Sequence, residues 1–549
     1  MSKPIIYQII PRLFANFNET RKHNGSKEEN GCGKLVDINE RALKSIADLG
    51  ATHVWYTGII RHATAERNNP AITKGKAGSP YAITDYYDVN PDLAVDESRR
   101  MNEWEDLIAR THAAGLGVLM DFVPNHVARE YKSLCKPAGV QDLGEGDHPE
   151  WAFSPLNNFY YLPGEHFCLD QDLQGYEEMP AKVTGNDCWK SHPGPNDWYE
   201  TVKLNYGVHY QGGGEKQFDP IPDTWRKMLD ILLFWAGKNI DGVRVDMAEM
   251  VPVEFFQWAI TKLKKKYPKF IVIGECYDPS RYDAYIAAGF DYLYDKVGMY
   301  DYLRGVISRD WPADGITSQW MQHGDARLPH MLYFLENHDE QRIASGFWCG
   351  DGRCAEPAMI VAATLTQGPI MVYMGQELGE RGMDMEGFSG IDGRTTIFDY
   401  WGVKSLQAWA NNGLYDGGRL SEEQRELRAF YRQLLTIARD NRTIQRGALY
   451  DITYAQGDGF NKRQHYAFIR HFKTETLLVV VNFHDREESI LVRVPNDAFV
   501  YLAMDELPKA TATDLLRGGK QAVTWRAGEP IRLSLPAWTG VVLKVKGER

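Results

Sequence analysis

The sequence predicts an α/β protein: a (β/α)8 TIM barrel that carries a subdomain inserted after its third strand, followed by a C-terminal antiparallel β-sandwich. Three observations lead to this reading. Eight short apolar runs recur with helical stretches between them; a tract of about eighty residues rich in Gly, Pro, Asn and aromatics interrupts the series after the third run; and past residue 442 the texture changes to alternating, β-branched segments.

The runs occupy residues 5–10, 53–56, 117–122, 242–245, 270–273, 290–294, 331–335 and 369–373. Near-continuous apolar character over so few residues suits strands covered on both faces, as in a parallel sheet with crossover helices. Residues 101–115 mix apolar and charged side chains at helical spacing between the second and third runs, and residues 225–236 do so before the fourth. Eight such units predict a closed barrel rather than an open sheet. Ser421 and Gln424 form a capping-box pattern that starts a last barrel helix running to about residue 440. Segments 466–472, 477–482, 489–494, 522–525 and 540–545 read as strands separated by turn residues. The expected division is therefore residues 1–126 and 207–442 for the barrel, 127–206 for the insertion and 443–549 for the sandwich.

Composition narrows the partners. The 549 residues carry a formal net charge of −12, with acids and bases interspersed. No basic stripe is available to neutralise a phosphate backbone, so nucleic acid is not an expected partner. The seven cysteines are scattered without metal-ligand spacing and are read as reduced thiols. No apolar run reaches membrane-spanning length, and the first ten residues lack a secretory h-region. A cytoplasmic location is the expectation, or an extracytoplasmic one if a signal peptide has been removed.

Four segments place acids, His or Arg at or just past the ends of candidate barrel strands: Asp121 to Asn125 and His126, Arg244 with Asp246, Glu275, and Glu336 to Asp339. Active sites of such barrels are built at that end. One charged strand end is what an ordinary ion pair also produces; four that converge on one barrel face are what chemistry requires.

In order and spacing, these four segments resemble the conserved regions of the α-amylase family of glycoside hydrolases, and the likeness covers essentially the whole chain. The resemblance implies that Asp246 is a nucleophile, Glu275 a general acid/base, and Asp339 a third carboxylate that holds sugar hydroxyls. It also implies that His126, His338 and Arg244 serve substrate binding, with Tyr81 as a stacking platform for a glucose ring. Arg244 is expected to face the same side as Asp246 by strand alternation and to keep it ionised. Asn125 matches a position that helps bind a structural calcium in many members, with Asp170 or Asp172 as further candidate ligands. No catalytic cofactor is implied. The implied chemistry is retaining cleavage of α-1,4-glucosidic bonds in starch fragments or malto-oligosaccharides.

The pattern also departs from typical members. Where a Lys-His pair usually follows the nucleophile, this chain has Glu249 and Met250. Lys203-Leu204-Asn205 resembles a segment of the neopullulanase and cyclomaltodextrinase branch, although Thr201 and Val202 replace its first two residues. Two alternatives stay open: a glucan transferase or isomerase using the same acids, and a catalytically silent carbohydrate-binding relative.

Overall fold

The computed structural model describes residues 3–547. Eight parallel strands close into a barrel: β1 (Ile5–Ile9), β2 (His53–Tyr56), β3 (Gly117–Phe122), β4 (Gly242–Val245), β5 (Ile271–Gly274), β6 (Tyr292–Tyr294), β7 (Met331–Phe334) and β8 (Ile370–Tyr373). Strand β1 joins the two ends of the series, with Tyr7 paired to Val54 of β2 on one side and to Val372 of β8 on the other. Nearly every residue of these strands is buried, which explains their unbroken apolar character. At the start of β4, a Cβ on Gly242 would lie 2.4 Å from the Ile271 carbonyl oxygen and 2.9 Å from Leu119. Glycine there lets β4 sit tightly between β3 and β5, the contact that brings their functional ends together.

The amphipathic helices Arg100–Ala113 and Asp223–Ala236 precede β3 and β4, and Glu422–Asp440 closes the barrel. The last begins with a complete capping box: Ser421 Oγ accepts the Gln424 amide N–H, and the Gln424 side chain accepts that of Ser421. A cap of this kind contributes about 1 kcal/mol.

Three excursions rise from the barrel mouth. After β2, Ile60–His62 pairs with Ile83–Val89, and Tyr81 lies just before the second of these strands. After β3, His126–Ala128 pairs antiparallel with Thr201–Lys203, enclosing a small core of Ile72, Tyr160, Leu162, Phe167, Ala181 and Val183. A short hairpin, Val208–His209 with Glu215–Lys216, still lies past residue 206, so the barrel resumes only at Asp223. After β8, residues 379–403 form an irregular loop that returns over the mouth.

The C-terminal strands are β9 (Ala448–Asp451), β10 (His465–Phe472), β11 (Glu475–Asn482), β12 (Glu488–Arg493), β13 (Leu507–Asp514), β14 (Lys520–Trp525), β15 (Pro530–Leu535) and β16 (Thr539–Gly547). A six-stranded sheet in the order β9-β10-β11-β16-β13-β14 faces the pair β12-β15. Ile469, Val480 and Leu543 of the large sheet and Ile490, Val492 and Leu533 of the pair share one core, making the expected sandwich. One departure concerns the thiols: Cys349 and Cys354 are joined in a disulfide, while the other five cysteines are free. No helix among the described residues is long and apolar enough to cross a membrane.

Candidate active site

Arg244 organises the mouth of the barrel. It lies on β4, 1% exposed, and its guanidinium is flanked by the rings of Trp55, Tyr81 and Tyr294 at 5.3–5.7 Å. Nη1 meets Asp246 Oδ1 at 2.6 Å and Asp121 Oδ1 at 3.5 Å, while Nη2 meets Glu275 Oε2 at 2.8 Å. One cation therefore gathers acids from the ends of β3, β4 and β5. Burial opposes its charge, but Glu275, Tyr294, Tyr81 and Asp246 outweigh that effect and hold the guanidinium firmly protonated.

The backbone sets the acids in place. Asp246 follows β4 directly, and its N–H donates to the Phe122 carbonyl at 2.8 Å. Met247 then adopts a left-handed conformation with φ of 43°, costly for a residue with a side chain. That turn aims the Met247 N–H at Glu275 Oε2, 2.7 Å away. On the other oxygen, Oε1, Glu275 accepts the Tyr277 hydroxyl at 2.6 Å. Asp339 is placed by an Asx turn, in which Asn337 Oδ1 accepts the N–H groups of Asp339 and Glu340 at 2.8 and 2.9 Å. Glu336 serves the scaffold: fully buried, it pairs with Arg342 at 2.8 Å.

Three carboxyls thus share one guanidinium, and Asp339 stands near enough to feel its charge. Burial, with repulsion from Glu275, pushes Asp121 up to about 7. Burial and the Glu275 carboxylate also push Asp339 up to about 7, although 42% of its side chain remains exposed. Asp246 is held well above the usual carboxylate range by burial, with Glu275 and Asp121 adding to it and Arg244 opposing. Arg244 is expected to keep Asp246 ionised; its charge acts in that direction but is divided among three acids, and burial outweighs it.

The neutral ring donors stand opposite. Tyr81 stacks on His338 with centroids 5.3 Å apart, and its hydroxyl lies 2.6 Å from His338 Nε2. His338 also lies 2.8 Å from Gln8 of β1 and 3.1 Å from Asp339. Burial, helped by Arg244, lowers His338 well below the ordinary histidine range. Burial, with Lys203 and Lys74 nearby, lowers His126 to about 3. Both rings are neutral at pH 7; His126 can offer its ring to hydroxyls, whereas both nitrogens of His338 are taken by Gln8 and Tyr81.

Tyr81, His126, Asp246, Glu275 and Asp339 line one cavity of about 360 Å³; Arg244 contacts Asp246 and Glu275 from behind the lining, and His338 stacks on Tyr81 outside it. The remaining walls come from Lys74, Trp198, Glu200, Tyr277, Ile397 and Phe398, none of which the strand-end argument singles out. Lys74 and Glu200 pair at 3.1 Å, joining the excursions after β2 and β3. Trp198 leans over His126 with centroids 5.2 Å apart.

Asn125 lies apart from this cavity lining. Its Oδ1 accepts the Lys203 ammonium at 2.9 Å, its Nδ2 donates to the Gly185 carbonyl at 2.8 Å, and Lys203 pairs with Asp187 at 2.6 Å. An ammonium therefore stands against the oxygens that a calcium ion would use, and this donor set does not fit Ca2+. Asp170 is instead engaged by His192, and Asp172 caps the Gln174 N–H.

Comparison with known proteins agrees with this geometry. Residues 8–286 match the model of the alpha amylase catalytic domain. Alpha-amylase 2 of Dictyoglomus thermophilum is 22% identical over 498 residues, covering 88% of this chain and 70% of that protein. Neopullulanase 2 of Thermoactinomyces vulgaris is 20% identical, covering 98% of this chain and 77% of that protein. Against Maltase A2 of Drosophila melanogaster, 24% identical, the match covers 53% of this chain and 41% of that protein. In fold, the chain superposes on an α-amylase from Geobacillus thermoleovorans complexed with acarbose with a TM-score of 0.67 at 18% identity, covering 100% of this chain and 99% of that one. With the family model spanning half the chain and four acids gathered at the mouth of its barrel, this protein belongs to the α-amylase family of glycosidases.

Proposed function

We propose that this glycosidase cleaves α-1,4-glucosidic bonds of short malto-oligosaccharides with retention of configuration, through a covalent glycosyl-enzyme formed on Asp246. The observation that carries the reading is the shared guanidinium: Arg244 holds Asp246 on one nitrogen and Glu275 on the other. Retention requires two carboxyls only about 5–5.5 Å apart, whereas inversion leaves room for a water between them. Two acids bridged by one cation suit the closer arrangement.

The division of roles follows from the surroundings. Asp246 has the shorter contact to Arg244, at 2.6 Å, and is the anion best matched to a developing oxocarbenium ion. Glu275 faces the cavity from the adjacent strand and delivers the proton to the leaving oxygen, then withdraws one from water. Asp121, Asp246 and Asp339 are each raised by burial and by neighbouring carboxylates, so this crowded set of acids holds protons beside anions. Asp339 and the neutral ring of His126 hold sugar hydroxyls, while His338 braces Tyr81 from behind so that Tyr81 offers its other face to the ring.

Short substrates are favoured by two features. The cavity of about 360 Å³ is at the small end for a ligand site, and the Lys-His pair that would grip a longer leaving chain is replaced by Glu249 and Met250. Turnover should be measured on maltotriose through maltoheptaose, amylose, pullulan and cyclodextrins. The reading expects faster turnover per bond on maltotriose than on amylose; the reverse order contradicts it.

A further inference from the structure

Glu249 stands where a typical member has a cation, yet its carboxylate does not face the cavity. Glu249 Oε2 accepts the backbone N–H groups of Tyr277 at 2.9 Å and Asp278 at 3.0 Å. Its own carbonyl accepts Arg281 Nη1 at 2.6 Å, and Arg281 Nη2 donates to Tyr285, whose hydroxyl returns to the Ala248 carbonyl at 3.1 Å. The turn after β4 and the loop after β5 are stitched together at this one residue. The product of the stitching is the placement of Tyr277, whose hydroxyl lies 2.6 Å from Glu275 Oε1.

The two oxygens of Glu275 are not equivalent. Oε2 already accepts the Met247 N–H and lies 2.8 Å from the Arg244 guanidinium as an ion pair, both fixed neighbours. A proton to be delivered therefore sits on Oε1, the oxygen that Tyr277 touches, since Oε2 has no room for a further hydrogen. Tyr277 lines the cavity beside Glu275. Burial, followed by the Glu275 carboxylate, raises the phenol well above its ordinary range, so it stays a donor at every working pH. From this geometry we propose that Tyr277, held by Glu249, is the residue that positions Oε1 of Glu275 for proton delivery, Glu249 being a positioning residue that acts through Tyr277. The proposal rests on Glu275 being the general acid/base.

The expected effect has a definite sign. A hydroxyl donating to a carboxylate favours its charged form, and removing that donor makes the proton easier to keep. Other charges facing Glu275 are Arg244 and Asp246 from β4, Asp121 from β3 and Asp339 after β7, with the Tyr294 phenol from β6; Tyr277→Phe leaves all of them in place.

The test is the pH profile of kcat/KM for a malto-oligosaccharide. Tyr277→Phe should move the alkaline limb to higher pH by about one unit, the size expected for one hydrogen bond to a charged group. Glu249→Ala should move the same limb in the same direction and lower kcat by about tenfold or more with little change in KM, and Glu249→Gln, which keeps an oxygen acceptor, should recover part of that loss. Loss of folded protein lowers every point of the profile equally and moves no limb. An unmoved limb in Tyr277→Phe, or a Glu249→Ala loss matched by the fall in folded fraction alone, overturns the proposal. The underlying reading fails separately, if Glu275→Gln hydrolyses the same substrate as fast as the parent enzyme.

Discussion

A cavity larger than the candidate active site lies elsewhere in the molecule. A space of about 680 Å³ lies between the barrel and the C-terminal sheet, lined by Trp320, Leu328, Leu449, Tyr450, Arg470 and Tyr501 among others. It contains charges, as the mouth does, but Arg470 and Asp451 are met there by neutral groups. The Arg470 guanidinium donates to the carbonyls of Leu365, Ile444 and Gly447, and Asp451 accepts Thr317, the Thr453 N–H and Tyr466. At the mouth, three carboxyls meet one guanidinium with Asp339 close by, beside a cavity of about half the volume, and Asp246 Oδ2 is left buried without a partner. Crowded charge, not volume, separates the two regions: where isolated charges meet neutral groups the cavity is architecture, and where several acids crowd one cation, energy is held for a substrate to use.

That contrast predicts opposite failures. Asp246→Asn and Glu275→Gln should each lower turnover by roughly 10⁴-fold while sugar still binds, because each removes a chemical role. Neither should lower the stability of the fold, since each relieves repulsion among buried acids. Arg470→Ala should behave in reverse, destabilising the protein by about 3 kcal/mol or more, as carbonyls lose a buried charged donor, with kcat per folded molecule unchanged. Denaturant unfolding and active-site-normalised rates on the same samples check both; a stable, inactive Arg470→Ala would erase the distinction.

A smaller effect sharpens the same comparison. Asp121 titrates near 7 in the folded protein and near 3.9 unfolded, so it is neutral in one state and charged in the other between those values. A raised acid contributes stability that is present below about pH 4 and lost as pH climbs to about 7. Asparagine does not titrate. Asp121→Asn should accordingly gain stability over the parent protein, little at pH 4.5 and most at pH 8, by about 2 °C or more in Tm. An equal shift at both values, or a loss at pH 8, would show that the crowding of acids is not felt by the fold.

The eight barrel strands are legible in the sequence because burial on both faces leaves a run of apolar residues that little else produces, and Asp246, Glu275 and Asp339 are legible because polar groups end such runs. Strands β9, β13 and β15 were harder. Leu507–Asp514 begins with exposed Pro508 and Lys509, and Pro530–Leu535 opens on a proline with every second residue exposed. Cavity walls from the excursions were less legible still: Lys74, Glu200, Ile397 and Phe398 come from irregular segments with no period, and only the fold brings them together. Tyr277 had a signal, two residues past Glu275 and so able to reach the same side in extended chain. The charge state of Asp246 had none, because sequence shows that Arg244 is near but not that Glu275 and Asp121 share it.

The account stands most directly on the anomer released first. If Asp246 attacks and water then enters from the side held by Glu275, two inversions restore the starting configuration. A proton NMR time course of maltotriose hydrolysis, read before mutarotation, should show the α-anomer accumulating first and the β-anomer appearing only as the mixture equilibrates. If the β-anomer appears first, water attacks directly, and both the glycosyl-enzyme and the role given to Asp246 fall.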